Sequence, residues 1–129
     1  MKKLATLLIL VLPLFLLSCD KNDDTTSSNT EQISLNIDKS KLPANLSITY
    51  KAESTGDGKI TQLKYLDNNG VLQVVGNPTL PWTKTLSMVA DSSVQMSASG
   101  TLSKGSLTIT VDGTATGTTF HLSDSQSRN

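Results

Sequence analysis

The only thiol in the chain, Cys19, stands where an apolar run meets an acidic one, LPLFLLSCDKNDD across residues 12–24. A cysteine can form a disulfide, hold a metal, act as a nucleophile or carry an acyl group, and its surroundings decide among these. With no second cysteine, no intrachain disulfide can form and no multi-thiolate metal site can be built. Cys19 is then either an attachment point or a spare thiol in a discarded signal. His121 is the only imidazole. One histidine cannot supply the ligand set that zinc takes, and as a general base it would need a nucleophile and an orienting acid. Ser123 and Asp124 are close in sequence, but adjacency along a chain is not triad geometry. The expectation for His121 is a solvated strand end without a catalytic role.

Other short motifs resolve to turns. Leu66-Asp67-Asn68-Asn69-Gly70 has the composition of a calcium loop. Aligning Gly70 with that loop's obligatory glycine, however, puts Tyr65 at the first ligand position and Gly76 where a bidentate glutamate belongs. Gly56-Asp57-Gly58-Lys59 lacks the spacing and the hydroxyl residue of a phosphate loop. Neither a metal nor another cofactor is expected. Trp82 has two readings: a large side chain at the centre of a core, with Tyr50 and Tyr65 as neighbours, or a platform for a ligand. Met88 and Met96 fall at inward strand positions, where packing explains them.

The segments that position these residues differ sharply in composition. Met1-Lys2-Lys3 is positive, Leu4 to Leu17 is apolar, and Ser18 is small. That order and length suit a secretory signal better than a retained spanning helix, which needs roughly 20 apolar residues. Leu16-Leu17-Ser18-Cys19 resembles the bacterial lipobox. The resemblance implies a diacylglycerol on Cys19, cleavage before it, and anchoring through its acyl chains, two or three of which hold stably where one does not. Residues 20–31, DKNDDTTSSNTE, contain no apolar side chain. They read as a flexible tether, because they cannot bury enough surface to offset the entropy of ordering them. The opening Asp20-Lys21-Asn22-Asp23-Asp24 looks like the signal of surface-exported lipoproteins in the Bacteroidetes, whereas Asp20 next to the cysteine also resembles the inner-membrane retention signal of enterobacterial lipoproteins; the longer acidic run favours the first. Without Lys2 and Lys3, nine basic side chains face eleven acidic ones, and no basic patch exists to recruit nucleic acid.

From Ile33 onward the hydrophobic period is two. Ile33, Leu35 and Ile37 alternate with polar residues, as do Leu46, Ile48, Tyr50 and Ala52. Thr61, Leu63 and Tyr65 form a third set, and Leu72 with Val74 a fourth. Trp82, Leu86 and Met88 share parity on a fifth, where Lys84 suggests an edge position or a snorkelling stem. Val94, Met96 and Ala98, then Leu107, Ile109 and Val111, then roughly Thr118 to Leu122 complete the series. Gly56-Asp57-Gly58, Asp67 to Gly70, Asp91-Ser92-Ser93, Ser103-Lys104-Gly105 and Asp112-Gly113 supply turn chemistry between them. The pattern predicts an all-β, small antiparallel immunoglobulin-like sandwich of seven or eight strands. Its layout is a signal peptide at 1–18, a lipidated Cys19 and tether at 19–31, the sandwich at 32–123 and a flexible tail at 124–129. The strand around Leu72 to Val75 is the expected free edge.

Five elements also carry a family resemblance. They are Ile48-Thr49-Tyr50, Lys64-Tyr65-Leu66-Asp67 with Gly70, Leu80-Pro81-Trp82-Thr83-Lys84, Val94 to Ala98, and Ile109-Thr110-Val111-Asp112-Gly113. In this order the chain resembles the extracytoplasmic domain of the MmpS family and its small lipoprotein relatives in the Bacteroidetes, over most of residues 44–115. The resemblance implies a small β-sandwich and, as in the mycobacterial members, assistance to an MmpL lipid exporter. The chain departs from those members in having a lipobox in place of a membrane helix and in lacking their cysteine pair. The functional expectation is a membrane-anchored cell-envelope lipoprotein, in the outer membrane and exposed at the surface. It would act as a non-catalytic binding or transport-accessory module whose partner is an envelope protein or transporter. The alternatives are a structural surface component that pairs strands with a partner, and a small envelope hydrolase.

Overall fold

The computed structural model describes residues 29–129. The expected signal segment, Cys19 and the expected tether up to residue 28 lie outside the described residues. Eight strands follow in chain order: β1 (Glu31–Lys41), β2 (Leu46–Gly56), β3 (Lys59–Leu66), β4 (Leu72–Gly76), β5 (Trp82–Met88), β6 (Ser93–Leu102), β7 (Gly105–Ala115) and β8 (Thr118–Arg128). They form two four-stranded antiparallel sheets, ordered β1-β6-β3-β4 and β5-β2-β7-β8. The expected all-β sandwich is the architecture found. Its pairing is particular in one respect: β1 lies beside β6, whereas the first two strands of an immunoglobulin domain share a sheet.

Alternation explains the two layers. Ile33, Leu35 and Ile37 on β1 join Ile48, Tyr50 and Ala52 on β2 and Leu107, Ile109 and Val111 on β7 in one buried cluster. Each fully buried Leu, Ile or Val contributes about 1.5–3 kcal/mol relative to exposure, which holds the layers together without any disulfide.

Four expectations about register need correction. β3 shifts register between Ile60 and Gln62, so Ile60 is buried and Thr61 is exposed, its hydroxyl donating to Ser99 O at 3.1 Å. On β4, Leu72 and Val74 point outward while Val75 packs against the core, because Val75 pairs with inward-facing Leu63 and Val74 pairs with Lys64. Asp112-Gly113 is not a turn but part of β7, paired with Thr49 and Ile48. A Cβ on Gly113 would stand 2.8 Å from Ile48 Cδ1 and 2.9 Å from Leu46 Cδ1, so the glycine makes room for core side chains. Finally, residues 124–128 are not a tail. They pair with Gly105 to Ile109, and Glu31, assigned by composition to the tether, opens β1.

Strand directions place every connection at one of two ends. The start of β1, the end of β8 and the connections at residues 57–58, 77–81 and 103–104 lie at one end. The connections at residues 42–45, 67–71, 89–92 and 116–117 lie at the other.

Candidate functional site

The end that carries the chain terminus also carries a cleft of about 420 Å³. Ser54 at the end of β2, Lys59, Ile60 and Thr61 at the start of β3, and Asn77 and Leu80 from the β4–β5 connection line it. That connection is fixed locally: Asn77 adopts a φ of 47°, its N–H donates to Thr61 O at 2.9 Å, and the Leu80–Pro81 peptide is cis. The cleft offers one ammonium, several hydroxyls and an apolar floor. It can hold a small amphipathic group. Alternation along the chain gives no hint of it, because its residues come from separate elements of both sheets that only the folded arrangement brings together.

Trp82 stands just beyond this cleft on edge strand β5 and is partly buried. It does not occupy the centre of the core. That place belongs to Tyr50, which is fully enclosed. Tyr65 lies between the two, with ring centroids 5.1 Å from Tyr50 and 5.5 Å from Trp82. The tilted geometry of both pairs is favourable for aromatic rings. Tyr50 donates its hydroxyl to Leu66 O at 2.7 Å, and burial pushes its phenol up from 10.0 to about 12. The expected neighbours of Trp82 are therefore a row: Tyr65 touches it, and Tyr50 lies behind Tyr65.

The acidic side chains divide into two groups. Asp67 Oδ1 accepts the N–H groups of Asn69 and Val71, both at 2.9 Å, and Oδ2 accepts Gln73 Nε2 at 2.8 Å. These bonds, the Val71 N–H above all, hold its carboxyl below the usual range. The oxygens that a calcium ion would need are thus turned onto the hairpin itself. Asp57 Oδ1 accepts Lys104 N at 2.9 Å and Ser103 N at 3.0 Å, which lowers its carboxyl pKa, with the Lys104 bond the largest cause. It ties the β2–β3 connection to the β6–β7 turn. The Gly-Asp-Gly motif announces a turn, but partners more than forty positions away are not legible from it.

Asp112 behaves differently. It faces His121 across the β7–β8 ladder, with 2.5 Å between Oδ1 and Nδ1, and both side chains are substantially exposed. The histidine is therefore mid-strand rather than at a strand end. Asp124 points away from this pair and accepts Asn36 N–H from β1 at 2.8 Å, so the sequence neighbours Ser123 and Asp124 do not assemble with His121 into a triad. An exposed side-chain contact of this kind contributes about 0–1 kcal/mol. Among the described residues no group of three or more His, Cys, Asp or Glu side chains could hold a metal ion.

No protein-family model, no curated protein and no solved structure matches this chain.

Proposed function

We propose that this chain is a lipid-anchored protein of a bacterial cell envelope, held in the membrane by acyl chains on Cys19, whose sandwich is a non-catalytic binding or transport-accessory module. The observation that carries this reading is the order Leu16-Leu17-Ser18-Cys19 at the close of an apolar run and the start of an acidic one. The placement of β1 supports it. Eleven residues separate Cys19 from Glu31. At about 3.3–3.6 Å each they span at most some 40 Å, comparable to the length of the sandwich itself. The cleft beside Lys59 lies at the pole where β1 begins, and four connections lie at the far pole. A small amphipathic ligand entering from the lipid side would meet the ammonium of Lys59 and the apolar side chains of Ile60 and Leu80. Outer-membrane placement with surface exposure, an envelope or transporter partner, and kinship with the MmpS domain belong to the same proposal.

Mass spectrometry of the protein purified from membranes tests the anchor. The expected N-terminal peptide begins at Cys19 and carries the mass of a diacylglycerol. The variant Cys19→Ala should leave the membrane fraction. An unmodified Cys19, or a leader still attached, overturns the proposal. Protease shaving of intact cells tests surface exposure: cleavage in whole cells is expected, and protection until lysis would place the domain inside.

A further inference from the structure

Edge strands present unpaired backbone donors and acceptors, and proteins shield them with charge, bulges or cover. Three of the four sheet edges here have such a device. β1 shifts register between Ile37 and Ser40, and side chains from β8 occupy its free backbone, Asp124 at Asn36 N–H and Gln126 at Ser34 O. β8 is engaged by the same bonds and by the ion pair of Arg128 with Glu31. β5 carries Lys84 at an inward register position opposite Tyr50. β4, with the sequence Leu-Gln-Val-Val-Gly, has no charge, no proline and no bulge. Leu72 and Val74 are 47% and 57% exposed on it, and Val71 just before it is 53% exposed.

The phase of the β3–β4 ladder tells which backbone groups are free. Asn77 N–H donates to Thr61 O and Asp67 N–H donates to Val71 O, both at 2.9 Å. Both pairs continue the register that sets Lys64 against Val74. Hydrogen-bonded and non-bonded pairs alternate along an antiparallel ladder. Val71, Gln73, Val75 and Asn77 therefore bond to β3, and Leu72, Val74 and Gly76 aim their N–H and C=O groups away from it.

We propose that β4 pairs antiparallel with β4 of a second copy of this chain, across a twofold axis at Val74. In that register Val74 faces its counterpart and Leu72 faces Gly76, so every free donor meets a free acceptor, about six bonds in all. A twofold contact must be self-complementary. β4 satisfies this because no like charges oppose one another and a valine pair sits on the axis, a favourable cross-strand combination. Gly76 supplies a further reason. A Cβ there would meet nothing within 4 Å, and its φ lies outside the left-handed region, so the single chain gives no cause for glycine. Opposite Leu72 of the second copy, the absent side chain leaves room for the isobutyl group. Lys84 keeps the neighbouring edge of the other sheet in water, which confines the joint to one sheet and makes it a continuous eight-stranded layer. The pairing does not rest on the anchor.

Disulfide trapping of the full chain in its native membrane tests it, since Cα atoms of a hydrogen-bonded antiparallel pair lie about 5.5 Å apart, within disulfide reach. Under mild oxidation Val74→Cys should yield a covalent dimer of twice the chain mass, several-fold above both the unsubstituted chain and a Thr85→Cys control on β5. Leu72→Cys and Gly76→Cys should link to each other when co-expressed, and far less when each is expressed alone. Val74→Lys should abolish dimers measured by light scattering in detergent. Trapping at Val74→Cys no better than at Thr85→Cys overturns the proposal. So does a product whose mass is not twice that of the chain, which would mean that a different strand fills the edge. Repeating the trapping in the Cys19→Ala chain, whose introduced cysteine is then its one thiol, separates this result from the anchor.

Discussion

The two long seams where the sheets meet are closed by opposite means. Along β1 and β8, polar side chains reach across to the facing backbone: Asp124 and Gln126 bond to Asn36 and Ser34, and Arg128 pairs with Glu31. Along β4 and β5, closure comes from inside, through the row Tyr50, Tyr65 and Trp82, and the outer edge of β4 stays bare. Exposed polar contacts satisfy an edge while adding little stability, whereas buried rings add much stability and leave the edge unsatisfied. One seam is therefore weakly held but inert. The other is strongly held but open to pairing.

Removing the middle ring should have the largest effect. Tyr65→Ala deletes contacts with both neighbours and should cost about 3–5 kcal/mol, as for other large buried aromatics, in urea denaturation followed by circular dichroism. The emission of Trp82 should shift to the red. A cost below about 1 kcal/mol would remove the claim that rings hold this seam.

Tyr50→Phe keeps the ring and deletes only the hydroxyl, leaving Leu66 O without its buried donor, at a cost of about 1–3 kcal/mol. The phenol has a second consequence. Its folded pKa is raised above the ordinary 10.0 to about 12, so the stability it confers is complete below pH 10 and is lost as pH rises through about 12. Melts between those values should show a falling stability that the Tyr50→Phe chain lacks.

At the polar seam, Asp124→Ala should cost less than about 1 kcal/mol globally. Its signature should be local, as faster amide exchange at Asn36, whose N–H loses its acceptor. A global loss as large as that of Tyr65→Ala would erase the contrast between the seams. The smallest effect concerns acid. Asp57 and Asp67 have carboxyls held below the ordinary 3.8, so the stability they confer is present above that value and disappears as pH falls through their lower folded values. Asp57→Asn combined with Asp67→Asn should flatten the acid limb of the stability curve by slightly lowering stability at neutral pH while leaving it nearly unchanged in acid.

Much of this frame is legible in the sequence, and the exceptions have physical causes. Period-two alternation marks the strands, because one face of each is less exposed than the other. It fails at Ile60 because an irregular register lets Ile60 and Leu63 both face inward, which a fixed parity forbids. It fails on β4 because Leu72, Val74 and Val75 are all apolar, and only pairing with β3 decides which face is inner. Asp112-Gly113 carries turn chemistry, yet pairing with β2 overrides it. The end of β8 has no apolar signal, since Asp124 and Gln126 serve the edge of β1 rather than the core. Candidate-site residues were harder to read. His121 was visible as a lone imidazole, but its partner Asp112 emerges only from strand register, and the cleft beside Lys59 emerges only from separate elements meeting.

β1 starts and β8 stops at the same pole of the sandwich. Any polypeptide continued or fused beyond Arg128 would therefore emerge alongside the incoming chain, crowding whatever lies beneath. An epitope inserted at Thr116-Gly117 would instead project from the opposite pole, where an antibody could reach it unhindered.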